Sequence, residues 1–427
     1  MFYKETASQE TAVGRIPKDW AVKCVNELFQ VETGTTPSTT KKVDYWEKGT
    51  VNWLTPADMS KSDGAVYISS GERRITEKAV KDCNLTVMPK GSLVLSTRAP
   101  VGYVAVLSEE SAFNQGCKGL MPREYEDVCP EFYYYYLLSK KQILNNLSSG
   151  STFKELSKEM LEKVRVVLLK PREQKGIVEV LSCVDLAIQK TAGVIAKTER
   201  LKKGLMQKLL TEGIGHKEFK ETEVGKIPTT WEVKSLEETC LAIIDCPHTT
   251  PKLVKKGFLV IKNFNIHNGE LLLEPAFYTT EDEWFVRTKR CVPKKGDVLF
   301  SREAPIGEAC LAPANIRFSL GQRTMLLRPN GILLNPTYLV HVFYSPHIKR
   351  KLRNLEAGVT AHHVNVADIR RLRIPLPPLG EQEQIGSVSD AVDEKLSLER
   401  KSKANLERTR QGLMDLLLSG KVRVKVD

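Results

Sequence analysis

No apolar run in this 427-residue chain approaches the ~18 residues that a membrane-spanning helix needs. The opening residues MFYKETASQE show neither the basic start nor the apolar stretch of a signal peptide, so a cytoplasmic protein with no membrane partner is expected. The nine cysteines include no CxxC pair. Such a scattered, odd set argues against both a disulfide framework and a zinc site, and the cysteines read as small buried residues.

Catalytic motifs are also missing: there is no GxxxxGK[ST] loop, GxGxxG turn, HExxH helix or GxSxG elbow. Asn335-Pro336-Thr337-Tyr338 resembles the Asn-Pro-Pro-Tyr motif with which amino-methyltransferases hold a flipped adenine, but it departs at the third position. Its context reads as an Asn cap with Pro at the first helical position, and no glycine-rich methyl-donor loop accompanies it. His362-His363 are adjacent and do not converge on one metal ion in a regular element. The matching site in the first half carries Lys154 opposite His362, which fits a surface that meets an anion.

What the chain does have is basic charge, with 64 Lys and Arg against 52 Asp and Glu, a formal net of +12 and a pI near 9.1. Polyanions are plausible partners, although no uninterrupted basic block or tail is present.

The chain also repeats itself. ETAVGRIPKDW from Glu10 and ETEVGKIPTTW from Glu221 share seven identities in eleven positions. GSLVLSTRAPVGYVAV from Gly91 matches GDVLFSREAPIGEACL from Gly296, with Ser96, Ala99, Pro100 and Gly102 on Ser301, Ala304, Pro305 and Gly307. Glu173, Gln174, Ile177, Asp185, Gly204, Leu205 and Met206 recur 208 positions later as Glu381, Gln382, Ile385, Asp393, Gly412, Leu413 and Met414. Copies that keep register over roughly 200 residues are duplicated domains and not solenoid units of 20 to 50.

Each copy opens with a mixed segment of short strands, loops and helices. VLSTRAPVGYVAVL and VLFSREAPIGEACL predict strands around a Pro-x-Gly turn. A helix is predicted around Glu131 to Asn146. Its four tyrosines, Tyr133 to Tyr136, would point all round the cylinder, so they read as core and rim packing and not as a base-stacking platform.

Each copy ends in a long amphipathic stretch, from Pro171 and from Pro378, with Gly213 and Gly420 suited to the exits. Ile177, Leu181, Val184, Ile188 and Ile195, and Ile385, Val388, Val392, Leu396, Leu406, Leu413 and Leu417, keep three-four spacing. A narrow stripe on a helix of about 34 residues reads as a coiled-coil seam, each helix pairing antiparallel with the other about a pseudo-two-fold axis. At about 1.5 Å per residue this predicts a rod of roughly 50 Å. The alternative is two helices, each packed on its own domain.

The predicted fold is α+β: two related mixed domains separated by two long antiparallel helices. Residues 1–17 form an N-terminal segment packing near the end of the second helix, 18–170 the first mixed domain, and 171–213 the first long helix. Residues 214–375 form a linker and the second mixed domain, and 376–427 the second long helix and tail.

A mixed domain, a Pro-x-x-Glu-Gln-x-x-Ile helix start (Pro378 to Ile385, shortened to PREQKGI from Pro171), a Gly-Leu-Met-x-x-Leu-Leu exit and a Gly-x-Ile-Pro-x-x-Trp restart, all repeated, strongly resemble the specificity subunit of type I restriction-modification systems, the HsdS family. The resemblance covers essentially the whole chain. It implies that each mixed domain is a target recognition domain reading one half of a split, asymmetric site in double-stranded DNA, and that the helices act as spacer and dock two modification (methyltransferase) subunits. It implies no catalysis and no cofactor in this chain. S-adenosylmethionine would be used by the modification subunits, and ATP and Mg by the restriction (translocase and nuclease) subunits. Half-sites on one face of B-DNA lie about 34 to 36 Å apart, within reach of such a rod. The rival readings are a self-contained DNA methyltransferase or nuclease with divergent motifs, and a scaffold whose domains bind protein.

Base reading needs forked hydrogen-bonding side chains on loops, with hydroxyls and lysines for phosphates. Candidates in the first copy are Thr35, Thr36, Thr55, Asp58, Arg98, Gln115, Lys118, Thr152 and Lys154. In the second they are His248, Thr249, Lys262, Asn263, Arg302, Gln322, Arg323, Thr360 and His362. Within the shared frame Thr97 aligns with Arg302 and Arg98 with Glu303, the kind of divergence two different half-sites would require.

Overall fold

The computed structural model describes residues 2–62, 64–98, 100–148, 155–303, 305–357 and 364–425, the side chains of 356 and 357 aside. Two compact units emerge: Met1–Ala192 with Lys401–Asp427, and Gly193–Arg400. Each contains one mixed domain, half of one long helix and half of the other.

In the first unit a five-stranded sheet has the order Phe29–Thr33, Cys117–Pro122, Leu93–Ser96, Val104–Leu107, Tyr67–Ile68. A three-stranded sheet, Ser111–Phe113, Val51–Leu54, Arg73–Ile75, lies beside it in the chain order. The second unit repeats the first four strands as Cys240–Asp245, Thr324–Pro329, Val298–Ser301 and Ala309–Leu311. Its other sheet is different, running Leu253–Val254, Tyr278–Thr279, Phe258–Ile261, Phe318–Leu320. The Pro-x-Gly turns fall between paired strands as the sequence predicts, with Gly102 at φ +97° and Gly307 at φ +85°.

The two long helices span Pro171–Glu212 and Leu379–Leu417, 42 and 39 residues, longer than the periodicity indicates. Pro171 is the first helical residue, whereas Pro378 lies one residue outside its helix. Within each unit the halves run antiparallel. Asp185 pairs with Arg410 at 2.8 Å in the first unit, and Asp393 with Lys202 at 2.5 Å in the second. These are the same pair under the 208-residue shift, so the helix pairing within one unit is repeated within the other.

The seam is less apolar than expected. Ile177, Leu181, Ile385, Leu396 and Leu417 are buried, but Val388 is exposed, and Gln174, Gln382 and Ser389 are buried in the same region. These polar side chains are buried because they hold the mixed domains. Gln174 accepts from the Cys129 N–H at 2.8 Å and donates to the Asp127 and Leu169 carbonyls at 2.7 and 2.8 Å. Gln382 does the same with the Asn335 N–H and the Leu333 and Pro377 carbonyls, at 2.9, 2.9 and 2.8 Å.

Asn335 caps the helix Pro336–Phe343, accepting from the Tyr338 N–H at 3.1 Å, and Tyr338 is fully buried with its hydroxyl on the Pro375 carbonyl. The Asn-Pro-Thr-Tyr tetrapeptide is therefore a helix start. Tyr133 to Tyr136 are all buried, and the Tyr135 hydroxyl donates to Asp185 at 2.6 Å. The reading of the cysteines needs correction at Cys183, which faces outward on the first long helix, and five others are only half-buried.

Glu173 and Glu381 explain the restart motif. Trp20 donates its indole N–H to Glu173 at 3.2 Å, and Trp231 does so to Glu381 at 2.9 Å. Gly420 and Gly213, at φ +71° and +65°, turn the chain out of each helix against these same tryptophans, and a Cβ at Gly213 would run into the Glu381 carboxylate. In the first unit, strand Phe2–Lys4 pairs with Val422–Val424, so the two chain ends meet.

Candidate nucleic-acid interface

Most candidate side chains gather at one end of each sheet, for a topological reason. In the first unit, Phe29–Thr33 and Leu93–Ser96 finish where Cys117–Pro122 begins, with Thr33 opposite Lys118 and Ser96 opposite Cys117. Thr35, Thr36, Arg98, Gln115 and Lys118 are therefore neighbours. Thr36 and Gln115 are exposed and in side-chain contact. Arg98 donates to Glu155 at 2.7 Å, and the Lys118 ammonium lies 3.6 Å from the same carboxylate. Lys118 is only 3% exposed, and burial pulls its pKa down against the opposing pull of Glu155.

Thr35, Thr55 and Asp58 are placed at the same end but carry the scaffold. The Thr35 N–H donates to the Phe113 carbonyl, and its carbonyl accepts from the Trp53 indole at 3.0 Å. Thr55 caps the helix Pro56–Lys61. Asp58, buried, accepts from the Thr55 N–H and hydroxyl at 2.9 and 2.6 Å and from the Glu72 N–H at 2.9 Å. Thr152 and Lys154 lie outside the described residues. Among the described residues, Leu156 donates its N–H to the Thr97 carbonyl at 3.1 Å, at this sheet end.

The second unit repeats this geometry with different chemistry. Cys240–Asp245 and Val298–Ser301 finish where Thr324–Pro329 starts, with Ser301 opposite Thr324. Asp245 sits 3.1 Å from His248 and 3.2 Å from Arg302. Arg302 is buried, whereas His248 is 71% exposed at its side chain. Arg323, at φ +70° and 55% exposed at its side chain, pairs with Glu303 at 2.9 Å. Gln322 donates to the His248 carbonyl at 3.1 Å, and Thr249 accepts from buried Arg287.

Lys262 and Asn263 follow the strand Phe258–Ile261 at this end. The Lys262 ammonium sits 4.0 Å from the Phe277 ring centre, and Asn263 is buried. Thr360 and His362 lie outside the described residues. Val364 donates to the Arg302 carbonyl at 3.1 Å, the counterpart of Leu156 on Thr97.

Each sheet end thus offers both signs of charge with cations prominent. The side chains that sequence reasoning missed are the carboxylates orienting those cations, Glu155 and Asp245, and the buried Arg287. Glu155 reaches Arg98, Asp245 reaches Arg302 and Arg287 reaches Thr249 from distant parts of the chain, so local sequence carried no signal for these contacts. Among the described residues no cluster of His, Cys, Asp and Glu could hold a metal ion, and no helix is long and apolar enough to cross a membrane.

Comparison with known proteins agrees with this two-unit arrangement. Over 99% of its length the chain is 29% identical to the type I restriction enzyme MjaIX specificity subunit of Methanocaldococcus jannaschii, covering 98% of that protein. It is 27% identical to the EcoR124I/EcoR124II specificity subunit of Escherichia coli over 38% of this chain and 40% of that one. The S subunit of a type I restriction-modification system from M. genitalium shares the fold, with a TM-score of 0.58 at 14% identity over 93% of this chain and 96% of that one. A chain from a structure concerning complex assembly and conformational transition of the type I R-M system gives 0.59 at 18% identity, over 95% and 99%. The profile of the family described as type I restriction modification DNA specificity domain matches twice, at residues 17–200 and 228–408, and the chain belongs to that family.

Proposed function

We propose that this chain is the non-catalytic DNA-specificity subunit of a type I restriction-modification complex. Each unit reads one half of a bipartite, asymmetric target in double-stranded DNA, the long helices set the spacer, and the helices dock two modification subunits to which restriction subunits add. S-adenosylmethionine, ATP and Mg belong to those partners. The observation that carries the reading is one frame with two chemistries: Thr97 and Arg98 on the first sheet end stand where Arg302 and Glu303 stand on the second, each beside the same backbone tie. Identical scaffolding with divergent tips is what unequal half-sites call for.

The test is methylome sequencing of cells carrying the complete system, followed by binding of the purified chain to duplexes with either half-site scrambled. Two dissimilar half-sites around an unread spacer are expected. A continuous or symmetric site would overturn the reading. Inserting one heptad in each long helix should change the tolerated spacer and leave both half-sites intact, and an unchanged spacer would sink the ruler.

A further inference from the structure

The second unit contains a cavity of about 720 Å³ lined by none of the candidate DNA-reading residues. It is framed by the second half of the first long helix, the first half of the second, the turn His267–Glu270 and the helix Pro346–Ala357. Pockets of this size suit small organic ligands. Its lining is two-sided: Met206, Leu210 and Leu396 supply an apolar floor, and six Lys and Arg side chains face three carboxylates around it.

Two of those carboxylates are already taken, Asp393 by Lys202 and Glu199 by Arg400. Lys203 and Arg350 are exposed and make no ion pair among the described residues. The remaining cationic field therefore faces the cavity with little to neutralise it.

The two units differ in one side chain beside this floor. Tyr135, five residues after the helix-starting Pro130, sends its hydroxyl to Asp185. The same position after Pro336 is His341, which is buried, at 7% exposure. Its Nδ1 meets the Ser389 hydroxyl at 3.1 Å and its buried Nε2 lies 3.8 Å from Asp390 without a hydrogen bond, while the residue as a whole is among those bordering the cavity.

We infer that this cavity binds a small amphiphilic polyanion, an apolar ring system carrying two or more phosphates, of the nucleotide class. The ring system rests on Leu210 and Leu396, and the phosphates meet Lys203 and Arg350. The site is separate from those at which partner subunits would bind or turn over their own ligands.

The test is calorimetric titration of the full-length chain with ATP, with ADP and with inorganic triphosphate, in the absence of DNA. ATP and ADP are expected to bind with one site per chain, and triphosphate at least tenfold more weakly. K203E/R350E should weaken ATP at least tenfold while leaving the thermal melt and DNA affinity unchanged, since both side chains are exposed. His341→Tyr, which copies the first unit, should close the floor and weaken ATP to a similar degree.

No binding of any of the three would overturn the inference. Triphosphate binding as well as ATP would overturn the nucleotide class, and unchanged binding in both variants would move the site elsewhere. Displacement of ATP by a duplex that carries neither half-site would assign the cavity to the DNA surface instead.

Discussion

The two restart junctions use one design with different partners for the buried glutamate, and the difference follows from how the chain is connected. In the second unit the junction is continuous: His216 follows Gly213, meets Glu381 at 2.9 and 3.0 Å, and leads directly into the hairpin Phe219–Pro228. In the first unit the residue after the helix exit and the hairpin Ser8–Pro17 come from opposite ends of the sequence. There Arg423 replaces the imidazole. Its guanidinium reaches Glu173 at 2.5 and 2.7 Å, Glu5 at 2.7 Å and Asp19 twice at 2.9 Å, the last 404 positions away. Where the backbone does not join the parts, a planar five-donor cation and a strand pair do.

The largest break in this comparison is Arg423→Ala. It strands Glu173, which is 4% exposed, and Glu5 without a cation, and an uncompensated buried charge costs about 3 to 5 kcal/mol. His216→Ala leaves Glu381 still accepting from the Trp231 indole and the Ile214 N–H, so its cost should be nearer 1 to 3 kcal/mol, on the order of one lost hydrogen-bonding partner. Denaturant unfolding with limited proteolysis of each unit checks both. Equal losses would mean that the extra pairs of Arg423 contribute nothing.

Next in size is the chemistry at the sheet ends. Arg98→Ala should weaken one half-site by about 1 to 3 kcal/mol if Arg98 reads a guanine, and nearly uniformly across sequences if it holds phosphate. Arg323→Ala should act on the other half-site alone. Binding measured on duplexes with one half-site altered at a time separates these outcomes, and a shared effect would break the assignment of one unit to one half-site.

The junctions should also differ in acid. Hydrogen bonds lower the pKa of Glu5, first from the Ala7 N–H and then from Arg423, and that of Asp19, first from Arg423. Carboxylates depressed in the folded state contribute stability that is present above their unfolded pKa of about 4 and is lost as pH falls toward the lowered folded values. Proteolysis of the first unit should therefore rise as pH drops through that window, and R423A should weaken the dependence by removing the Asp19 part, leaving the part of Glu5 that rests on the Ala7 N–H. The smallest effect belongs to Arg400→Ala. Its pair with Glu199 is about half exposed on both sides, and exposed pairs contribute about 0 to 1 kcal/mol.

The repeat made the fold legible: matching motifs in matching order located both domains and both helices. What the motifs do chemically was not legible. Glu173 and Gln174 are adjacent in sequence, yet one holds Trp20, 153 positions away, and the other Cys129, 45 positions away. Val388 fits a heptad but faces outward, because Ser389 turns in to meet His341. At the sheet ends, the positions that differ could be named from alignment alone. Whether Arg302 is a reader or a buried strut depended on Asp245, whose approach is set by tertiary packing.

The division of each long helix between the units, at 192/193 and 400/401, bears on how such a chain can be rebuilt. Asp185 and Arg410 fall on one side of those cuts, and Lys202, Asp393, Glu199 and Arg400 on the other. A block spanning 193–400 could thus be exchanged between two related genes, with its first cut next to Gly193, and every ion pair named here would travel with its own partner. The pseudo-symmetry then works as a cassette boundary, and recombination at two points would issue a new pairing of half-sites from old, already folded parts.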